Sequence, residues 1–263
     1  MPPVALTIAG SDPSGGAGIQ ADLKTFHQFG VYGEAVITLI TVQNTVRVSR
    51  VEVLPPALVS EQIAAVVEDI PPAAAKTGAL GSVEVVAAVA RAAAGFAFPL
   101  VVDPVMVSKH GLPLLPPDAV GAIRDLLLPH AALLTPNVPE AEALTGSTIR
   151  TFGDMRRAAC RLHEMGARAV LLKGGHLAGD STEVVDLLFD GAAWHEFPAV
   201  RVDTRHTHGT GCTYSAAVVA GLAAGRPLAD AVAHAKRFIH LAIRTNPGLG
   251  QGCGPVNHHA EVV

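Results

Sequence analysis

Short apolar runs alternate along the chain with longer alanine-rich segments that have helical periodicity. The apolar runs cover residues 4–9, 35–41, 100–102, 133–135 and 169–173, and the helical segments include residues 58–70, 83–94, 155–165 and 214–224. Short, unbroken apolar strands are typical of a parallel sheet whose two faces are both covered by helices. The pattern therefore predicts an α/β fold with right-handed crossovers. Residues 46–54 alternate apolar and polar positions instead, which predicts an edge or flap strand.

Each of the five apolar runs is followed by polar or glycine residues. These polar or glycine residues lie at positions 10–12, 43–44, 103–104, 136–137 and 173–176. Ligands of open α/β sheets bind outside the carboxyl ends of the strands, so we expect these groups to converge on one crevice. No linker, internal repeat or low-complexity tract interrupts residues 1–263, which we interpret as a single domain.

Composition excludes several classes of protein. The 263 residues carry 19 Lys and Arg against 23 Asp and Glu, and aromatic residues make up only 4%, so neither a basic stripe nor stacking platforms for nucleic acid are expected. The apolar stretches are interrupted well short of the roughly 18 residues of a membrane span. The first ten residues lack the basic region of a signal peptide, and we expect a cytoplasmic protein without a membrane partner. Three widely spaced cysteines, Cys160, Cys212 and Cys253, fit neither a disulfide framework nor a Cys-x-x-Cys metal site.

The glycine-rich stretch at residues 206–213 directly precedes a helical segment. Gly209, Thr210 and Gly211 would place backbone N–H groups at a helix N-terminus, where they form a site for a phosphate. Cys212 would lie in the first turn, where the helix dipole favours a thiolate that could act as a general base. The alternative is an ordinary glycine-rich turn followed by a buried cysteine.

A second glycine-rich stretch, residues 10–18, follows the first predicted strand. It matches a dinucleotide-binding fingerprint only through Gly16, Gly18 and Ala21, and the second strand ends without the acidic residue that would hold a ribose. A Rossmann dehydrogenase is therefore the weaker interpretation. The chain also lacks the Gly-x4-Gly-Lys-Ser/Thr sequence of P-loop kinases.

Oxygen ligands and a cation follow three neighbouring strands. Asn137 and Glu140 open a helix, and Asp103 ends the preceding strand, which together could hold Mg²⁺ mostly through waters and phosphates. Asn137 and Glu140 also have the spacing of a capping box, a purely structural role. Lys173 adds a cation at the same edge, although a surface lysine is the alternative there.

These segments together resemble the hydroxymethylpyrimidine and phosphomethylpyrimidine kinase branch of the ribokinase-like superfamily. The resemblance covers nearly the whole chain and is carried by residues 9–25, 43–45, 103–106, 135–137, 173–176, 208–212 and 254–258. It implies a three-layer α/β/α fold with a central, mostly parallel sheet and a small β flap, often assembled as a homodimer. It also implies ATP and Mg²⁺ as cofactors and a small pyrimidine alcohol as the substrate.

The resemblance also implies roles for individual residues. The substrate-binding residues would be Gly10, Asp12, Gln43, Leu80, Val105 and Met106, and Leu80 stands where the family usually has Met. The ATP-binding residues would be Lys109, Asn137, Lys173, His176 and Thr210, with Asp103 and Glu140 at the metal. Gly209, Thr210 and Gly211 would form the anion hole, and Cys212 takes the position of the Asp base of sugar kinases. Further departures from the family pattern, Arg205-His206 and Gln251, affect the shape of the pocket rather than the reaction class.

The resulting prediction is a kinase of thiamine biosynthesis that phosphorylates 4-amino-5-hydroxymethyl-2-methylpyrimidine and then its monophosphate. Lys109, His110, Lys173 and His176 would supply donors for the additional phosphate, although an exposed loop with incidental charge is the alternative for Lys109 and His110. The nearest alternative is a pyridoxal or pyridoxine kinase. Comparing turnover on the pyrimidine alcohol and on the pyridine alcohol would distinguish the two activities. A non-catalytic nucleotide-binding regulator is the alternative of another class, and binding without ATP consumption would indicate it.

Overall fold

The structure, a computed structural model, describes residues 1–109, 111–177 and 182–262. Within these residues, nine strands form one sheet in the order β3-β2-β1-β4-β5-β6-β7-β8-β9. The central strands β2, β1, β4, β5, β6 and β7 run parallel to one another, whereas β3 pairs antiparallel with β2 at one edge and β8 and β9 pair antiparallel at the other. The predicted mostly parallel sheet is confirmed.

The strands and helices have the following bounds. The strands are β1 Val4–Ser11, β2 Tyr32–Gln43, β3 Val48–Val53, β4 Ala74–Thr77, β5 Leu100–Val102, β6 Ala131–Leu134, β7 Val170–Leu172, β8 Glu183–Phe189 and β9 Trp194–Val200. The helices are α1 Gly18–Gln28, α2 Pro56–Asp69, α3 Val83–Ala93, α4 Pro117–Ala122, α5 Val138–Thr145, α6 Phe152–Glu164, α7 Thr210–Ala223 and α8 Leu228–Arg244. A π-helical turn at Ile123–Leu127 continues α4.

Two hydrophobic cores lie on opposite faces of the sheet. In β5, Leu100 and Val102 face one core together with α2 to α6, whereas Val101 faces the other with α1, α7 and α8. Because successive strand residues point to opposite faces, a strand buried on both sides must be apolar throughout. This alternation explains the unbroken apolar runs and confirms the three-layer α/β/α arrangement.

The alternating stretch at residues 46–54 forms the edge strand β3. It pairs antiparallel with β2 and has exposed polar positions such as Ser49 and Arg50. The predicted flap is thus the edge of the main sheet. Among the described residues, no helix is both long enough and apolar enough to cross a membrane.

Several elements were not predicted from the sequence, among them β4, β8, β9 and α8. β4 has only four residues and contains Lys76 and Thr77, so it lacks the apolar signal of its neighbours. β8 and β9 are antiparallel additions at the far edge, where β9 exposes every second residue. Helix α8 is amphipathic and packs against α7.

The segment 248–258 packs back onto the start of the fold. The Cys253 N–H donates to the Thr45 carbonyl at 2.8 Å, and a Cβ on Gly252 would lie 2.1 Å from that same oxygen. His208 pairs with Pro255 in an isolated bridge, and Thr213 Oγ1 lies 3.1 Å from His258 Nε2. This segment therefore joins the end of β2 to the beginning of α7.

Candidate active site

A cavity of about 820 Å³ lies at the carboxyl ends of the parallel strands. Nearly all of the residues proposed from the sequence line it, as the expected crevice requires. They are Gly10, Asp12, Gln43, Asp103, Val105, Met106, Lys109, Asn137, Glu140, Lys173, His176, Gly209, Thr210, Gly211 and Cys212. Leu80 is the exception, because its side chain is 1% exposed and lies in the hydrophobic core behind the cavity wall, beside the lining residues Gly78 and Ala79. His110 lies outside the described residues.

One end of the cavity, which we call the β1 end, is built around the buried carboxylate of Asp12. Its oxygens accept hydrogen bonds from the Ser14 N–H and hydroxyl, the Gly16 N–H and the Ala17 N–H. His208 Nε2 is a further partner at 2.7 Å. Burial opposes ionisation, but the hydrogen bonds from His208 and Ser14 prevail and lower the pKa of Asp12 to about 2. Asp12 therefore organises the glycine-rich loop, and its oxygens are directed at protein donors.

Gln43, the last residue of β2, extends the β1 end. Its side-chain amide lies 3.3 Å from His208 Nε2, and the residue lines the cavity. His208 was not singled out in the sequence because it appeared as one position of a longer motif. Its contacts with both Asp12 and Gln43 show that it joins the glycine-rich loop to the end of β2.

Asp103 and Lys173 form an ion pair in the middle of the cavity, with Lys173 Nζ 3.1 Å from Asp103 Oδ1. Thr135 and Ser215 also donate hydrogen bonds to the Asp103 carboxylate. Burial would raise the pKa of Asp103, but the ammonium groups of Lys173 and Lys76 hold it below its usual value. Burial would likewise lower the pKa of Lys173, but Asp103 and Glu140 raise it, so Lys173 remains a cation. Lys173 is not an ordinary surface lysine, since its side chain is only 13% exposed.

Asn137 and Glu140 form the capping box that begins α5. The Glu140 N–H donates to Asn137 Oδ1 at 2.9 Å, and the Asn137 N–H donates to Glu140 Oε2 at 2.8 Å. The structural interpretation of this pair is confirmed, and both residues line the cavity as well. Burial raises the pKa of Glu140 to about 7, with the Asp103 carboxylate adding to the shift and Lys173 opposing it.

The glycine-rich turn begins α7 as predicted, with Gly209 as the N-cap at φ 76°. A Cβ at Gly209 would lie 1.7 Å from the Gly16 carbonyl, so the turn and the first glycine-rich loop are in backbone contact. A Cβ at Gly211 would lie 3.4 Å from Lys173 Nζ. The N-terminus of α7 therefore faces the Asp103–Lys173 pair.

The expected thiolate at Cys212 is not supported. Withdrawal from water raises the pKa of the Cys212 thiol to about 11, and the carboxylates of Asp22 and Asp103 add to the shift. The positive charge of Lys76 lowers this pKa but does not offset burial. Cys212 is therefore a neutral thiol near pH 7, because desolvation outweighs the helix dipole.

The opposite end of the cavity, which we call the β9 end, is mostly apolar. It is lined by Val184 of β8, residues 199–202 at the end of β9, and Ile239 and Ile243 of α8. Lys236 and His240 lie on the same face of α8, and Lys236 Nζ is 2.6 Å from Asp186 Oδ2. Sequence reasoning missed this end. The helical spacing of positions 236, 239, 240 and 243 is the signal that could have indicated it.

Cations gather at the cavity rim around His176. The surrounding protein lowers the pKa of His176, and the positive charges of Lys109, Lys173 and Arg201 add to this effect. His176 is exposed to solvent and lines the cavity with all three of these residues. The rim can therefore bind an anion of several charges.

The donor set fits a Mg²⁺ ion that is held mainly through water and phosphate oxygens. The described residues include no group of three or more His, Cys, Asp or Glu side chains that could hold a metal by itself. Both Asp103 oxygens already accept hydrogen bonds, and one of the donors is the Lys173 ammonium. Glu140 is thus the carboxylate best able to contact a hydrated ion.

Comparison with known proteins agrees with this site. The profile of the family described as phosphomethylpyrimidine kinase matches residues 12–257. The chain belongs to the phosphomethylpyrimidine kinase family. The match covers most of the first glycine-rich loop, all of the second and nearly all of the cavity lining, from Asp12 to the segment that contacts His208.

Individual members of the family are similar over nearly the full chain. A hydroxymethylpyrimidine/phosphomethylpyrimidine kinase of Rhizobium meliloti is 51% identical, with 98% of this chain and 97% of that protein covered. The thiamine biosynthesis bifunctional protein ThiED of Geobacter sulfurreducens is 53% identical over 96% of this chain, which spans about half (51%) of that protein. Among solved structures, an ADP complex of Bacillus subtilis pyridoxal kinase is 38% identical with a TM-score of 0.90, covering 99% of this chain and 98% of that one.

Proposed function

We propose that this kinase transfers the γ-phosphate of ATP to hydroxymethylpyrimidine and then to the resulting monophosphate, a step of thiamine biosynthesis. The observation that carries the proposal is the convergence of the α7 N-terminus, Lys173 and a polar β1 end within one cavity. We take residues 1–263 as one kinase domain, since a single sheet supplies both ends of the cavity.

The two ends of the cavity suit two different substrates. The β1 end offers the Gln43 amide, whose acceptor and donors complement an aminopyrimidine edge. The β9 end offers an apolar slot for an adenine ring, with Lys236 and His240 beside it. The similar pyridoxal kinase was solved with ADP, which supports use of ATP by this chain.

Phosphoryl transfer depends mainly on positioning and on stabilisation of charge. Lys173 remains charged and lies beside the α7 N-terminus, so both would contact the transferring phosphoryl group. Mg²⁺, when bound at Glu140 through water, would neutralise phosphate charge. Cys212, as a neutral thiol, orients the substrate hydroxyl, and the hydroxyl proton passes late in the reaction to an oxygen of the transferred phosphoryl group.

The direct test is product identity. Purified protein with the pyrimidine alcohol, ATP and Mg²⁺ should give monophosphate and then diphosphate, measured by mass spectrometry or phosphorus NMR. The Lys173→Met variant, which keeps the length of the side chain without its charge, is the control for contaminating kinases. If pure monophosphate is not converted while the alcohol is, the enzyme is a single-step kinase.

Pyridoxal phosphorylation is the alternative that the structural likeness to pyridoxal kinase favours. The sequence identity to that protein is 38%, against 51% for the Rhizobium meliloti pyrimidine kinase. We therefore expect kcat/KM for pyridoxal to be at least about tenfold lower than for the pyrimidine. A higher value for pyridoxal would reverse the assignment.

We further propose a cytoplasmic homodimer. Ile40, Val42 and Val46 are exposed apolar residues on and beside the β2–β3 edge, and burial of such a patch favours self-association. The three cysteines are free, as in a reducing compartment. Light scattering of the parent and of Val42→Glu would test the dimer, because a charge at a buried interface should yield monomers.

A further inference from the structure

Strand β4 carries a lysine whose side chain is completely buried. Lys76 is 0% exposed, and its Nζ lies 2.7 Å from Oδ1 of Asp22 in α1, which is also 0% exposed. The Thr7 hydroxyl of β1 donates to the other Asp22 oxygen at 2.7 Å. Neither charged residue lines the cavity, so neither contacts a substrate there.

Stability alone does not account for this ion pair. Desolvating two charges costs about as much as their attraction returns, so a buried pair is often no more stabilising than apolar residues of similar volume. The preceding residues of β4, Ala74 and Ala75, are small, apolar and buried, so the strand needs no charge in order to pack. The pair is therefore a candidate for a functional role.

The Lys76 ammonium reaches the first turn of α7 from beneath. Its Nζ lies 3.4 Å from the carbonyl oxygen of Cys212. The Ser215 hydroxyl is 3.1 Å from the same oxygen and 3.1 Å from Asp103 Oδ2, and Asp103 pairs with Lys173. A chain of buried polar contacts thus runs from the ion pair to the middle of the cavity.

The charge on Lys76 is maintained. Burial would lower its pKa, but the Asp22 carboxylate raises it above the usual value, with the Asp103 carboxylate adding to the effect. Asp22 offsets part of this charge, but Lys76 outweighs it at Cys212, so the pair acts on the first turn of α7 as a dipole with its positive end nearer to that turn. It adds to the positive end of the α7 dipole at the place where phosphate charge develops.

We propose that Lys76, fixed by Asp22, is a positioning residue for phosphoryl transfer that places the first turn of α7 and adds positive potential at the anion site. This role rests on the proposed function, because it concerns the step that the α7 N-terminus would stabilise. Lys76 acts through Cys212 and the backbone of the turn rather than on the substrate itself.

The test is the double variant Lys76→Met/Asp22→Asn, which removes both charges, keeps their shapes and leaves neither charge unpaired. Val89→Ala, a buried truncation in α3 on the opposite face of the sheet, is the control for lost stability. Three properties are measured: the unfolding midpoint in urea, kcat with both KM values, and the alkylation rate of Cys212 by iodoacetamide. Peptide mass spectrometry separates Cys212 from Cys160 and Cys253.

We expect the double variant to fold, to keep both KM values within about threefold, and to lose at least about tenfold in kcat. Because Lys76 favours the Cys212 thiolate more than Asp22 opposes it, removing both charges should slow alkylation of Cys212 at pH 9 by about threefold, whereas loosened packing would expose the thiol and accelerate alkylation. Val89→Ala should change neither kcat nor alkylation.

An unchanged kcat, a faster alkylation or a double variant that does not fold would each overturn the proposal in favour of a purely structural pair. The alkylation measurement needs no substrate, so it is independent of whether the proposed pyrimidine reaction is correct. Failure of the parent enzyme to phosphorylate the pyrimidine would refute the proposed function alone.

Discussion

The two ends of the cavity are built in different ways. The β1 end consists of tightly packed backbone, in which glycines permit contacts that a Cβ would block and Asp12 gathers the N–H groups of one loop. The β9 end consists of side chains from two antiparallel strands and one helix, and most of them are apolar. A site formed by backbone tolerates few substitutions, whereas a site formed by apolar side chains should change gradually when they are truncated.

Gly209→Ala is expected to have the largest effect. The residue has φ 76°, and its Cβ would lie 1.7 Å from the Gly16 carbonyl, so either α7 or the first glycine-rich loop must move. Displacing the anion site should lower kcat/KM by about 10³-fold, the upper range for losing such donors. Steady-state kinetics measures this effect.

Gly225→Ala is the matched control for Gly209→Ala. Gly225 follows the other end of α7 with φ 78°, but its Cβ would meet nothing within 4 Å. We expect normal kinetics and a stability loss of about 1 kcal/mol from backbone strain alone. Equal kinetic losses in both variants would mean that strain in α7, rather than the contact with Gly16, limits activity.

Gln43→Leu should weaken binding of the pyrimidine by about 10- to 100-fold and leave the affinity for ATP unchanged. The substitution removes hydrogen-bonding groups from a polar pocket, which leaves groups of the ring unpaired. Calorimetric titration of each ligand gives the answer, with Gln28→Leu as the control, since Gln28 bonds the Ala260 carbonyl and does not line the cavity. If ATP binding weakens instead, the pyrimidine and ATP have been assigned to the wrong ends of the cavity.

Between the two ends, the Mg²⁺ requirement should depend on the ionisation of Glu140. With a pKa of about 7, this carboxyl is mostly ionised at pH 8 and mostly protonated at pH 6, so the Mg²⁺ concentration for half-maximal rate should rise about five- to tenfold as the pH falls. The Glu140→Gln variant should need more Mg²⁺ at both pH 6 and pH 8, and its Mg²⁺ requirement should no longer change with pH. If the variant's Mg²⁺ requirement changes with pH as the parent's does, Glu140 is not the group that contacts the ion.

Unfolding experiments test the same pKa without metal. The unfolded chain releases this proton near 4.5 and the folded protein only near 7, so Glu140 should make stability fall as the pH rises through that window. The parent should lose more stability between pH 4.5 and pH 7 than Glu140→Gln does. Identical slopes would indicate that the carboxyl ionises normally in the folded state.

Ile243→Ala should have the smallest effect, an increase of about fivefold in KM for ATP with KM for the pyrimidine unchanged. Truncating one partly buried side chain removes about 1 kcal/mol of apolar contact. Leu241→Ala, also partly buried on α8 but absent from the cavity wall, should leave both KM values unchanged. A loss of a hundredfold at Ile243 would show that the β9 end is as intolerant of substitution as the β1 end.

The same contrast explains how much could be predicted from the sequence. The β1 end was predictable because its parts are contiguous: residues 10–18 and 208–212 each carry several glycines and polar groups next to an element boundary. The parallel strands were predictable because burial on both faces makes them apolar throughout. Leu80 was misplaced because its assignment depended on family position, and nothing in its own sequence context distinguishes a cavity wall from the core behind it.

The remaining parts depend on tertiary contacts that no local pattern shows. Strand β4 is held by its neighbours β1 and β5, although Lys76 makes it look polar. The raised pKa of Cys212 follows from how deeply α7 packs and from charges on α1 and β5. The β9 end combines β8, β9 and α8, which are separate in sequence, and each contributes only one or a few residues.

The contact between segment 248–258 and the end of β2 has a consequence for how the protein is made. Gly252 and Thr45 are 207 residues apart, so all nine described strands have been synthesised before this contact can form. The growing chain can assemble its parallel strands in order, but Gln43 and His208 acquire their final support only when residues 248–258 have emerged from the ribosome. Catalytic competence should therefore appear only after residue 258 has emerged, and a chain truncated at residue 247 should be folded but unable to hold the pyrimidine.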